Sequence, residues 1–299
     1  MEILLRSFLK LICILIMTSC SLDKYAGLSE EERKHLSEDI WYKEVSKHGF
    51  NGSFQGTPKA ETLLDQILEL DPNNCNALRE KSVPYLKRGI PHLWKPLFDK
   101  AVECDPISWQ PWRGYLYLYF YRDYDKAIAD FNASDTLTPN FIDAPQGQSV
   151  NYWRGLAYLG KLDYQNSVNY FQTHITAELA DAGEEWIDPS TFLYLGIAQY
   201  ELKDYEQAEI NLSKMLKYNY QNSADANYFL ARINLETGNL KEAESHLISA
   251  KSNYKDGHYR NRDYVEEIRQ IYPDNLTDLQ EEIERRISTS GKLNEESEL

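Results

Sequence analysis

Three stretches of the chain fall into one frame: YWRGLAYLGKLDYQNSVNYF (152–171), LYLGIAQYELKDYEQAEINL (193–212) and YFLARINLETGNLKEAESHL (228–247). Each carries a small residue early (Gly155, Gly196, Ala231). Eight residues later comes Asp or Asn followed by an apolar residue: Asp163-Tyr164, Asp204-Tyr205 and Asn239-Leu240. A second small residue follows (Ser167, Ala208, Ala243), then a large one (Phe171, Leu212, Leu247). This is the pattern of two amphipathic helices joined by a tight turn, with small side chains admitting close backbone approach and large ones filling the groove between them. A unit this short cannot bury its apolar face alone, so stacking on its neighbours is required.

The frame resembles the tetratricopeptide repeat, a helix-turn-helix unit of about 34 residues. RDYDKAIADF and KDYEQAEINL are close to that family's second-helix opening, and units run near 75–106, 108–139, 148–179, 189–220 and 224–255. Pro106 and Pro139 close two of them, and Pro72 closes an earlier one. The resemblance implies an all-α fold: a right-handed α-solenoid of stacked antiparallel helix pairs over residues 29–287, with about six pairs, a degenerate first one and C-terminal capping helices. In the first pair KAETLLDQILELDP supplies the second helix, with Ala60, Leu64 and Ile67 at packing positions, and Ser29 with Glu32 forms a capping box for the first.

The run YLYLYFY (115–121) places tyrosine at every second position, which by itself reads as a strand. Aligning Trp112-Arg113-Gly114 with Trp153-Arg154-Gly155 assigns it to a first helix instead. Read helically, Tyr115 and Tyr119 share one face and Tyr117 and Tyr121 another, with Tyr117 at the family's packing position.

Local departures follow. Pro84 falls inside a first helix, where proline costs about 3 kcal/mol, so a kinked or shortened helix is expected. Pro96 is tolerable if the second helix starts near it. NFIDAPQGQS (140–149) and ELADAGEEWIDPS (178–190) read either as solvent-facing loops or as a lip over the groove, Trp186 favouring contact. YRNRDYVEEIRQIYP and LTDLQEEIERRIS both read as amphipathic capping helices, and residues 288–299 as a disordered tail. Cys75 and Cys104 come to the same end of one helical hairpin, where a disulfide and two separate buried thiols are both open.

The start, MEILLRSFLKLICILIMTSC, has Arg6 and Lys10, an apolar run from Leu11 to Met17 and small residues before Cys20. That is signal-peptide anatomy, and the run is too short to span a bilayer. Met17-Thr18-Ser19-Cys20 resembles a bacterial lipobox, with Met17 in place of the usual Leu. The resemblance implies a signal peptide over 1–19, lipidation at Cys20, a tether over 20–28 and a membrane anchor. Ser21, where Asp would retain a lipoprotein in the inner membrane, points to the outer membrane, with its periplasmic or surface face open.

A net charge of −15 makes a nucleic-acid partner improbable, and 13% aromatic residues with 22 Tyr set the chain apart from disordered acidic sequences. The six histidines make no metal-binding spacing, and no nucleotide loop or nucleophile elbow occurs. No metal, cofactor or enzymatic activity is therefore expected, and binding remains. The resemblance puts Tyr115, Tyr119, Tyr152, Leu156, Leu159, Leu193, Ile197, Tyr200, Tyr228 and Arg232 on the groove side of first helices, although any of these tyrosines could instead pack between helices. Arg232 is the lone cation among them, too few for the family's clamp on a terminal carboxylate. The expected function is a non-catalytic scaffold for a protein partner in the cell envelope. The alternative is a glycan-binding lipoprotein stacking sugars on tyrosine faces.

Overall fold

The computed structural model describes the backbone of residues 24–297 and side chains through residue 289. The signal peptide, Cys20 and the first residues of the tether lie outside the described residues. Regular structure among the described residues is helical throughout, and the chain divides between Cys104 and Asp105 into two compact units.

The first unit holds α1 (Glu30–Ile40), α2 (Pro58–Leu70), α3 (Cys75–Lys87) and α4 (Pro91–Cys104). The Ser29 hydroxyl accepts the Glu32 N–H, and the Glu32 carboxylate accepts the Ser29 N–H at 2.8 Å, so the capping box forms as read. A π-helical turn (Trp41–Ser46) extends α1, and left-handed Phe50 and Asn51 turn the chain toward α2. Ala60, Leu64 and Ile67 are fully buried there, against Val45 and Phe50. Ser37 donates to the Ile67 carbonyl at 3.1 Å and accepts from Asn74 at 3.1 Å, tying α1 to the end of α2 and the cap of α3. The helix expected to be kinked or shortened at Pro84 runs on to Lys87, and α4 begins at Pro91, leaving Pro96 inside it. The Cys75 and Cys104 sulfurs are bonded to each other, with Cα atoms 5.7 Å apart.

The second unit stacks four pairs: α5 (Pro106–Phe120) with α6 (Tyr124–Leu137), α7 (Val150–Gly160) with α8 (Tyr164–Asp181), α9 (Pro189–Glu201) with α10 (Tyr205–Tyr218), and α11 (Ala224–Thr237) with α12 (Leu240–Lys255). The final helix, α13 (Pro273–Ser297), packs on α12 and α11. First helices also touch in sequence, α5 to α7, α7 to α9 and α9 to α11, and so form one continuous wall.

The physical content of the repeat frame is visible in the turns. Arg122, Leu162, Lys203 and Gly238 all adopt left-handed φ (52°, 63°, 62° and 82°) one residue before the Asp or Asn that recurs in the frame. Asp123, Asp163 and Asp204 then cap the second helices by accepting N–H groups of Lys126, Asn166 and Gln207. The small residues behave as read: a Cβ on Gly155 would stand 2.9 Å from the Phe171 ring, and one on Gly196 2.8 Å from Leu212. Arg154, 2% exposed, binds the Phe131 carbonyl, Asn132 at 3.1 Å and Asp135, locking α7 onto α6.

Two differences from the sequence reading stand out. Helical backbone in α13 continues through residues 288–297, where a tail was predicted. Of residues 259–273, predicted to be an amphipathic capping helix, 259–272 form no helix, with Tyr264 and Arg269 in left-handed conformations (φ 71° and 59°), and Pro273 opens α13. The spacing of Val265, Ile268 and Ile271 imitated a helical face, but this segment is held by side chains instead, as described below.

Phe171→Ala should cost about 3–5 kcal/mol, since it empties a fully buried ring site. Lys203→Gly should stabilise by about 0.5–1 kcal/mol by removing the left-handed cost borne by a side-chain-bearing residue. Urea unfolding of both variants checks these signs.

Candidate functional site

The wall of first helices in the second unit carries the residues predicted for a binding groove, and here it is covered by the chain itself. After α12 the segment 258–272 runs back across it. The His258 carbonyl accepts the Ala224 N–H at 2.7 Å, and the Asp225 carboxylate accepts the Arg260 N–H at 2.8 Å, which fixes the entry point at the start of α11.

Three arginines then enter the wall. Arg260 lies over the Tyr194 ring, 5.7 Å from its centroid, and pairs with Glu267 at 3.3 Å. Tyr194 donates its hydroxyl to the same Glu267 carboxylate at 3.2 Å, so a carboxylate that is only 6% exposed is satisfied from two sides. Arg262 lies over the Tyr119 ring at 3.7 Å and hydrogen-bonds the Tyr115 hydroxyl. Arg269 reaches the Tyr164 hydroxyl at 2.8 Å and Glu201 at 3.3 Å. Arg122, in the α5–α6 turn, donates to the Glu266 carbonyl, while Ile268 and Ile271 are buried at 5% and 2% exposure. The attraction of a guanidinium to an aromatic face strengthens as water is removed, so these contacts gain from being covered.

Each residue predicted for the groove can now be placed. Tyr115, Tyr119, Tyr152 and Leu156 are buried (3%, 1%, 2% and 0% exposed), as are Leu159, Leu193 and Ile197. Tyr115 and Tyr119 lie beneath Arg262 and edge-on to Trp153, with centroids 5.0 and 5.8 Å away. Tyr152 is packed between helices, bonded to Ser190 at 2.9 Å and edge-on to Phe171. Tyr117 is buried at 6%, as its packing position required. At the far end Tyr200 and Arg232 stay partly exposed, and Arg232 lies over the Tyr200 ring (5.9 Å) and reaches the Tyr228 hydroxyl at 3.3 Å. With Tyr228, Phe229, Arg269 and Asn275 they line an open cavity of about 300 Å³. The covered tyrosines offer no flat face to a sugar ring, and nothing in the site favours a glycan. Trp186 is exposed at 73%, on a loop held down through Glu184, which pairs with Lys214 at 2.6 Å and accepts from Tyr218 at 2.7 Å. No cluster of metal-ligating side chains occurs among the described residues.

Sequence reasoning missed the arginines because it treated their segment as a cap. The signal available was the cluster Arg260, Arg262 and Arg269 in a chain with only 32 cationic residues.

Burial sets the titration of the site. Tyr119 and Tyr194 are pushed well above the ordinary tyrosine range by desolvation, so both stay neutral. Burial also raises Asp225 to about 6, the Arg260 N–H offsetting part of the effect. His174, hydrogen-bonded to Ser149 at 2.9 Å, is lowered to about 4 by burial. The two act oppositely. Folded Asp225 holds its proton between pH 4 and 6 while the unfolded chain has released it, so its contribution is full below about pH 4 and is lost as pH rises through 6. Folded His174 is neutral where the unfolded chain is protonated, so its contribution is lost as pH falls from 6.5 through 4. Asp225→Asn should therefore gain on the natural protein as pH rises from 4 to 7, by up to about 3 kcal/mol. Urea unfolding at stepped pH measures this, and parallel curves would contradict it.

No protein-family model matches the chain, and no curated protein matches it. Its likeness is to solved structures. Pseudomonas aeruginosa PilF is 17% identical with a TM-score of 0.54, the match covering 76% of this chain and 94% of PilF. PilW, a type IV pilus biogenesis factor, is 14% identical with a TM-score of 0.55 over 76% of this chain and 94% of PilW. A chain of the APC/C hetero-tetramer Cut9-Hcn1 is 17% identical with a TM-score of 0.56, over 86% of this chain and 46% of that one. Likeness at these identities is likeness of fold, and the fold of this chain is that of the tetratricopeptide-repeat proteins.

Proposed function

We propose that this protein is a non-catalytic scaffold that binds a polypeptide partner along the first-helix wall of its second unit. One observation carries the reading: the wall already holds an irregular polypeptide segment, 258–272, by seating its arginines on tyrosines and burying its isoleucines. A surface that holds one extended segment through side-chain pockets has the chemistry to hold another. Tyr200 and Arg232, in the part left open, are the contacts a partner meets first, with the buried Tyr228 bonded to Arg232, and the buried Arg232 Nε has no hydrogen-bond acceptor.

We place it in the cell envelope, anchored to the outer membrane by lipid at Cys20. The lipobox-like MTSC and the apolar run before it support export, and the Cys75–Cys104 bond suits an oxidising compartment. No described helix is long and apolar enough to cross a membrane.

A photo-crosslinking residue at position 200, used in intact membranes, should capture one envelope protein at a fixed ratio. The capture should be lost in an Arg232→Ala, Tyr228→Ala background. Failure to capture any protein, or capture that ignores those substitutions, would overturn the reading. Cys20→Ser should abolish fatty-acid labelling and release the protein from the membrane fraction.

A further inference from the structure

We propose that residues 258–272 are an intramolecular stand-in for the partner: they occupy the place of an extended, arginine-bearing segment of another protein, and must leave the wall for that segment to bind. This deepens the scaffold reading and rests on it.

The segment's attachment is unlike that of the helices around it. Among the described residues, the Gln270 N–H to Glu267 carbonyl contact at 3.3 Å is its only backbone–backbone hydrogen bond with both ends inside 259–271. Two of its residues, Tyr264 and Arg269, are left-handed without being glycine. What holds it is a short series of side chains, so its release breaks few backbone bonds and lies toward the low end of local opening costs. It is also tethered at both ends, to α12 and α13, which bounds how far it moves and raises its effective concentration at the wall.

What the segment would leave behind defines the ligand. Glu267 travels with the segment, so the carboxylates that stay behind are Asp225 and Glu201, with the rings of Tyr115, Tyr119 and Tyr194 on the wall and of Tyr164 at the start of α8. A surface lined by tyrosine rings with carboxylates at its edges suits arginine carried on an extended backbone, because its planar guanidinium stacks on rings while donating at its edge. The spacing of the resident arginines, at 260, 262 and 269, sets the register a competing segment has to match.

A fluorescein-labelled peptide of residues 258–272 tests this on the full chain by fluorescence anisotropy. It should bind the Arg262→Ala protein at least tenfold more tightly than the natural protein, since the weakened resident yields its place. The same peptide carrying Ala at positions 260 and 262 should lose that binding. Equal binding to both proteins, or to neither, would show a fixed wall and overturn the proposal. A second measurement is independent of how the arginine variant folds. A thiol at position 271 (Ile271→Cys), read by mass spectrometry of its peptide, should react at least 100-fold faster than one in the α11 core (Ile233→Cys). Equal rates would overturn the proposal. A fixed segment together with a captured partner would leave the scaffold reading standing, whereas an exchangeable segment with no partner in membranes would remove that reading alone.

Discussion

The seating of Arg260 and Arg262 on tyrosine faces is the constraint on which the covered first-helix wall of the second unit depends. A guanidinium taken from water costs several kcal/mol unless its charge and its N–H groups find partners. Here the partners are the Tyr119 and Tyr194 rings, the Tyr115 hydroxyl and the Glu267 carboxylate. Removing the segment would expose two buried isoleucines and the ring faces together, so segment and wall are complementary as one unit. This is why Tyr115 and Tyr119, which the repeat register assigns to a binding groove, are found at 3% and 1% exposure beneath Arg262, whereas Tyr152 is buried by the helices themselves.

The helix pairs themselves were legible because their determinants are local. Each turn needs a residue that accepts a left-handed conformation and then a carboxylate or amide to cap the next helix; Leu162-Asp163 and Lys203-Asp204 meet that need, and Gly238-Asn239 meets its conformational half. Each close approach needs a small residue opposite a large one, as Gly155 opposite Phe171 and Gly196 opposite Leu212. These requirements recur at fixed spacing, so pattern alone recovers them. The helix through Pro84 shows the limit of a local rule, because the buried face of α3, including Ala77, Leu78 and Leu86, outweighs one lost backbone bond.

The occupant of the wall was not legible, for a physical reason. Its contacts join residues up to 147 positions apart, as Arg262 with Tyr115, and no periodicity encodes a pairing between a loop and a helix face. The apolar spacing in VEEIRQI suggested a helix, whereas the segment's conformation is set by where its arginines and isoleucines must go. The tyrosines were correctly placed on first helices, and what faces them required the fold. The same holds for Cys75 and Cys104, whose shared end of a hairpin the register gave and whose bond the structure shows.

The central claim is that Arg262 and Tyr119 interact directly, the segment being seated on the wall through that contact. A double-mutant cycle with Arg262→Met and Tyr119→Leu, measured by urea unfolding of the four proteins, tests it most directly. A coupling of about 1–2 kcal/mol that survives high salt is what a desolvated cation on an aromatic face predicts. Additive effects, with no coupling between the two positions, would contradict it.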